Sequence, residues 1–275
     1  MSMNSGDKFR QTLPESRRVV VKIGSRVIVR STGRPDKAQM KSLVVQMAAM
    51  RRDGYEIVVV SSGAIAAGME ALGIAKRPEL VPDLQMCAAV GQGRLMATYS
   101  ELFGKEKIIV GQMLLTHDDF DSKIRLANMR RTMDHMLRLG IIPIINENDA
   151  VADEEVKADL SLGDNDYLAS LVARQTRADL LILLSTVDGL RAPVANNRSR
   201  RVPYVEKINK AVLQLVRPAT PGGVSKGGMD SKLRAADACM KAGCNVVIAN
   251  GRRKNVLANV IAGRDEGTLF IGAPS

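Results

Sequence analysis

The chain contains no tryptophan, and its only other aromatics are four tyrosines and four phenylalanines. So few rings leave little on which single-stranded bases could stack. Three cysteines (Cys87, Cys239 and Cys244) and two histidines (His117 and His135) are equally sparse. No CxxC pair occurs and no histidine lies near a cysteine, which argues against a disulfide framework and against a zinc site. Buried thiols of a reducing compartment are the expectation, with a cytoplasmic location. No apolar run approaches the ~20 residues that a membrane helix needs; the longest is Leu180 to Leu184 with its flanks. The polar stretch from Met1 to Glu15 lacks the apolar core of a secretory signal and reads, over residues 1–16, as a loose tail.

The chain has 275 residues, 45% hydrophobic and 25% charged, the balance of an ordinary globular protein with a sizeable core. Its net charge of +11 calls for an anionic partner. The basic residues fall in short clusters (Arg51-Arg52, Arg130-Arg131, Arg198 to Arg201, Arg252 to Lys254) and form no single stripe, which favours solvated surface or phosphate attraction over nucleic acid.

Apolar runs alternate with helical periodicities along the chain. Arg18 to Ile23, Glu56 to Val60, Ile108 to Leu115, Ile141 to Ile145, Leu180 to Leu184 and Asn245 to Ala249 read as strands. Between them, helical spacing recurs: Met40, Leu43, Val44, Met47 and Met50 line one face of a helix that Asp36 can cap and Gly54 can stop. Further helices are expected near 83–103, 121–139, after Gly163, and near 207–216, 229–241 and 255–262. This order predicts an α/β fold, a mostly parallel sheet covered on both faces, in a single domain over 17–275. Residues 193–203, rich in Asn, Ser and Arg, are expected to be a long surface loop within that domain.

Four loops follow strand ends, where open α/β sheets place ligands. Lys22 closes the first strand beside Gly24; a buried ammonium there needs an anion, either a ligand or a structural carboxylate. Ser61-Ser62-Gly63 runs into a helix N-terminus, suited to carboxylate or phosphate and equally to simple capping. Asn146 to Asp149 and Gly163 to Asp166 gather amides and carboxylates that suit a substrate ammonium and the organisation of Mg²⁺-bound phosphates. A glycine-rich loop from Gly222 to Gly228 feeds a helix with Lys232 in its first turn, where a cation opposes the macrodipole unless an anion compensates it. The loop does not match the GxxxxGK[ST] pattern.

The order VVKIGS, SSGAIAAGMEALG, CAAVGQGRLM, VGQMLLT, PIINENDAV, GDNDYLASLVA, VDGL and GGMDSKLRAADAC resembles the amino acid kinase family, and within it the members that phosphorylate glutamate, from Arg18 to Phe270. The resemblance implies a three-layer αβα sandwich, with residues about 17–175 binding glutamate and about 176–275 binding ATP. It implies catalytic roles for Lys22 and Lys232 at the transferred phosphoryl, with Asp166 holding both lysines. Ser62, Asp149 and Asn165 would bind L-glutamate. ATP, with Mg²⁺, would lie along Lys22, Ser185, Thr186 and the run Lys226, Gly227, Gly228, Met229, Asp230, Ser231 and Lys232. The chain departs from the family's pattern at Ser161, Thr186, Ser225 and Lys226. It ends soon after Phe270, so the RNA-binding-like PUA domain of many relatives is expected to be absent.

The implied reaction carries the ATP γ-phosphoryl to the glutamate side-chain carboxylate, the first step of proline biosynthesis. A carboxylate of reference pKa ~4.3 is already ionised at neutral pH, so no general base is needed. The resemblance further implies a homo-oligomer, feedback inhibition by proline and a downstream glutamyl phosphate reductase, with no membrane or nucleic acid. Two alternatives remain at this level: a sister kinase acting on another anionic substrate, and a non-catalytic nucleotide- or nucleic-acid-binding regulator.

Overall fold

The computed structural model describes residues 5–151, 165–194, 198–216 and 228–273. Strands β1 (Arg18–Ile23), β2 (Glu56–Ser61), β3 (Val110–Leu115), β4 (Ile142–Glu147), β5 (Leu180–Ser185), β6 (Arg191–Val194), β7 (Arg198–Arg201), β8 (Tyr204–Val205), β9 (Asn245–Asn250) and β10 (Thr268–Phe270) alternate with helices. The helices are α1 (Ser5–Arg10), α2 (Ser25–Ile28), α3 (Lys37–Arg52), α4 (Ala64–Ala71), α5 (Val81–Lys105), α6 (Asp118–Asp121), α7 (Lys123–Arg138), α8 (Asn165–Gln175), α9 (Lys210–Gln214), α10 (Met229–Met240) and α11 (Val256–Ile261).

Eight strands form one sheet in the order β3-β4-β2-β1-β5-β9-β10-β8. Every pairing is parallel except β9 with β10. β1 sits near the middle, paired with β2 and β5 on its two sides. Its side chains therefore go alternately into two cores. Val19, Val21 and Ile23 pack with Leu43 and Met47 of α3, Tyr99 of α5 and Val256 of α11. Val20 faces the opposite layer with Leu168 and Val172 of α8 and Leu233 and Ala236 of α10. The result is the expected sandwich of helices on both faces of a mostly parallel sheet. Period-two alternation sends Lys22, two residues beyond Val20, toward α8 and α10, which is the first fact that positions the site.

Helices α4 and α5 approach so closely that no side chain fits between them. A Cβ on Gly91 would lie 1.8 Å from the Ala64 carbonyl oxygen, and one on Gly68 would lie 1.8 Å from that of Cys87. Gly63, at φ +107°, makes the turn from β2 into α4.

Two expectations are corrected. Residues 193–203 are no plain loop: β6 and β7 form an antiparallel hairpin separate from the main sheet, with Arg191 bonded to Ser199. The region 1–16 is not loose throughout. Leu13 is fully buried, and the buried Arg10 guanidinium donates to the carbonyl oxygens of Pro203, Arg264, Glu266 and Gly267 at 2.8–3.0 Å. The short strands β8 and β10 were not foreseen. The three cysteines are free thiols and all buried; hydrogen bonding to Cys239, followed by burial, pushes the Cys244 thiol well above its ordinary range. Among the described residues no helix is long and apolar enough to cross a membrane.

Candidate active site

The C-terminal ends of β1, β2, β4 and β5 and the N-termini of α8 and α10 converge on one edge of the sheet. Asp166, in the first turn of α8, is fully buried. Its Oδ1 lies 2.6 Å from the Lys22 ammonium, and its Oδ2 accepts from Lys232 at 2.8 Å. Both lysines are also buried, at 2% and 5% exposure. The Lys22 contact is a charge contact rather than a hydrogen bond of good geometry, while Lys232 also donates to the Gly228 carbonyl at 3.4 Å. Ser231 donates to that carbonyl at 2.8 Å and approaches Asp166 Oδ2 at 3.4 Å.

Asp166 explains how α10 tolerates a cation in its first turn: the carboxylate supplies the compensating charge. The carboxylate gathers two ammonium groups at one point, in surroundings where field lines are poorly screened. An arrangement of that kind attracts and holds phosphate oxygens.

Beside it runs a chain of amides. Asn165 Nδ2 donates to the Ser61 carbonyl at 2.8 Å, to Asn146 Oδ1 at 2.9 Å and to Ser62 Oγ at 3.0 Å. Asn146 Nδ2 in turn donates to Gln92 Oε1 at 2.9 Å. Ser61 Oγ meets the Tyr99 hydroxyl at 2.8 Å, and burial pushes that phenol up to about 12.

Of the residues expected from the sequence, Lys22, Asp166 and Lys232 are brought together, and Ser62 joins Asn165 next to them. Asp149 follows β4 in a half-buried turn closed by the Val151 N–H on the Asn148 carbonyl. Ser185 ends β5, half-buried, and its carbonyl accepts from Gly251; Thr186 after it is exposed. Met229 is buried and Asp230 pairs with Arg234 at 2.8 Å. Lys226, Gly227, Ser161 and Ser225 lie outside the described residues. Asn146 and Gln92 were not singled out as site residues. The available signals were the amide cluster of INEND and the glycine before Gln92, since a glycine inside a helical pattern marks close packing.

A mostly parallel sheet carrying a lysine pair on one buried carboxylate defines a class, and the sequence comparison agrees: the amino acid kinase family matches over residues 17–250, and the chain belongs to it. Its place within that family is with the glutamate 5-kinases. Glutamate 5-kinase of Clostridium acetobutylicum is 40% identical over 275 residues, 98% of each chain. That of Listeria monocytogenes serotype 4a is 39% identical over 95% of each, and that of Shewanella woodyi 44% over 92% of this chain and 68% of the relative. Among solved structures, carbamate kinase from Giardia lamblia bound to AMP-PNP superposes with a TM-score of 0.62 at 16% identity, over 94% of this chain and all of that one. UMP kinase from Bacillus anthracis gives 0.59 at 15% identity, over 94% and 97%. At such identities these two speak for the fold alone.

Proposed function

We propose that this protein transfers the γ-phosphoryl group of ATP to the side-chain carboxylate of L-glutamate, forming glutamyl 5-phosphate, the first step of proline biosynthesis. The observation that carries the reading is the pair of buried lysines on Asp166, set at a strand end and a helix start in a chain 40% identical to a glutamate 5-kinase over nearly its whole length. The carboxylate nucleophile needs no deprotonation, so the work left to the protein is alignment and charge. Lys22 and Lys232 neutralise the phosphoryl in flight, and Asp166 fixes their spacing. Ser62, Asn165 and Asp149 bind the amino acid. ATP lies along Ser185, Thr186 and the run from Lys226 to Lys232.

Among the described residues no three Asp, Glu, His or Cys side chains cluster to hold a metal ion, and both oxygens of Asp166 are taken by lysines. Mg²⁺ is assigned as the partner of the ATP phosphates, as the family resemblance implies, and no protein carboxylate is assigned to it. From the family we also carry over a homo-oligomeric state, inhibition by proline and hand-over of the labile acyl phosphate to glutamyl phosphate reductase. A cytoplasmic setting is supported by three buried free thiols.

The test is ADP release across glutamate, aspartate, acetylglutamate and UMP, with hydroxylamine added to trap acyl phosphate as hydroxamate. Turnover and hydroxamate with glutamate alone are expected. Equal turnover with another acceptor and none with glutamate would move the chain to a sister activity.

A further inference from the structure

The residue after Gly91 is used by nothing in the reaction just described, yet it ends the amide chain of the site. The orientation of each amide in that chain follows from one fixed point. The Ser61 carbonyl can only accept, so the Asn165 atom 2.8 Å from it is the NH₂ group. The Asn146 atom that faces this NH₂ must then be its oxygen, which turns the Asn146 NH₂ toward Gln92. Gln92 must in turn present Oε1, leaving its own NH₂ at the end of the chain. That Nε2 is buried and has no hydrogen-bond partner among the described residues. Reversing Gln92 would set two NH₂ groups against each other, and reversing Asn146 as well would break its bond from Asn165.

The energetic consequence is unusual. Gln92 makes one useful hydrogen bond, worth about 0.5–1.5 kcal/mol net, and leaves a buried donor unsatisfied at about 1–3 kcal/mol. Stability therefore gives no reason for a glutamine at this position. Packing gives none either, because the close contact of α4 and α5 is made by the glycines at 68 and 91. The Asn165 NH₂, moreover, has two hydrogens for three acceptors, Ser61 O, Asn146 Oδ1 and Ser62 Oγ. How they are shared decides whether the Ser62 hydroxyl is held by Asn165 or is free for a ligand. Whatever orients Asn146 sets that division.

We propose that Gln92 is a positioning residue for the amino-acid substrate: by holding Asn146 it fixes the Asn165 amide and the Ser62 hydroxyl in the orientation that binds the acceptor. The inference rests on the glutamate-kinase reading above. It places a determinant of amino-acid affinity on α5, separated by one amide, Asn146, from the residues that touch the ligand.

Three measurements on the full chain decide it. Gln92→Met keeps the length of the side chain, removes the acceptor for Asn146 and also removes the orphaned donor. Its melting temperature is expected to match wild type within a few degrees, while KM for glutamate rises about tenfold and KM for ATP and kcat move less than about twofold. Gln92→Glu retains an oxygen for Asn146 and should recover much of the glutamate affinity. Unchanged glutamate KM in Gln92→Met, or a parallel loss of stability, kcat and both KM values, would overturn the positioning role while leaving the kinase reading intact. Absence of glutamate turnover in wild type would sink both.

Discussion

Two ammonium groups share a single buried carboxylate, and that sharing makes the lysines separable by mutation. Replacing Lys22 or Lys232 by Met leaves Asp166 with one partner, a one-to-one buried pair, so the usual penalty for a stranded charge is not incurred. Each variant is expected to keep a melting temperature close to wild type and to lose roughly 10²–10³ in kcat, the scale for one transition-state charge donor. Near-normal turnover in either would remove that lysine from the mechanism. Tyr99 makes a different residue-level prediction. Its phenol is fully buried against Ser61 and titrates at about 12 instead of 10.0. A raised folded pKa means that the neutral form is favoured by folding; this contribution is complete below pH 10 and is lost as pH climbs from 10 through 12. Wild type should therefore lose more stability than Tyr99→Phe between pH 9 and 11.5, by up to roughly 2 kcal/mol. Parallel melting curves for the two over that range would show that the phenol does not titrate there.

At the scale of elements, the contact of α4 with α5 links packing to binding. A methyl group at Gly91 would meet the Ala64 carbonyl at 1.8 Å and the Gly68 amide at 2.4 Å, both backbone atoms that cannot swing aside. Gly91→Ala is thus expected to separate the helices at a cost of about 1–3 kcal/mol and, by displacing Gln92, to raise KM for glutamate more than KM for ATP. Calorimetry and kinetics on one variant check both halves; an unaltered melting temperature would refute the close approach. The same elements show what the sequence reveals and what it hides. β1, β2, β5 and β9 are legible because burial on both faces demands unbroken apolar runs such as Val19-Val20-Val21. α3 is legible through its spacing and its cap, since Asp36 does accept from the Gln39 N–H. β8 and β10 are too short for any period, and the hairpin of β6 (Arg-Ala-Pro-Val) and β7 (Arg-Ser-Arg-Arg) carries no apolar alternation. The meeting of Lys22, Asp166 and Lys232 is a tertiary fact that no local pattern contains; it was legible only through resemblance. The Asn146–Gln92 bond escaped even that, because an amide in a helix looks like any polar surface position until its partner is known.

For the whole molecule the open physical question is what a net charge of +11 is for. Several of the basic residues are engaged within the fold: Arg10 donates to backbone carbonyls near the C-terminal edge, Arg18 pairs with Glu56 and Asp134, and Arg201 with Asp265. Arg17 and Arg234, both strongly exposed, pair with Glu56 and Asp230, and such surface pairs stabilise little. Along the sequence the basic residues fall in short clusters and form no single stripe. A small anion in a lysine-lined cleft and a polyanion along a surface respond differently to salt. ATP and glutamate meet a few charges in a partly buried site, so raising salt from 50 to 200 mM should weaken each only moderately. An RNA neutralised by six or more basic side chains would lose about 10³-fold or more in affinity over that interval, through counterion release. Kinase activity and RNA binding measured side by side across the range separate the two uses of the charge. The expected outcome is glutamate-dependent ADP release that changes by a fewfold, needs no RNA, and is accompanied by RNA binding that is weak at the higher salt. Tight RNA binding with the steep slope, together with no glutamate-dependent ADP release, would mean that the lysine pair serves a polyanion and that the phosphotransfer reading is wrong.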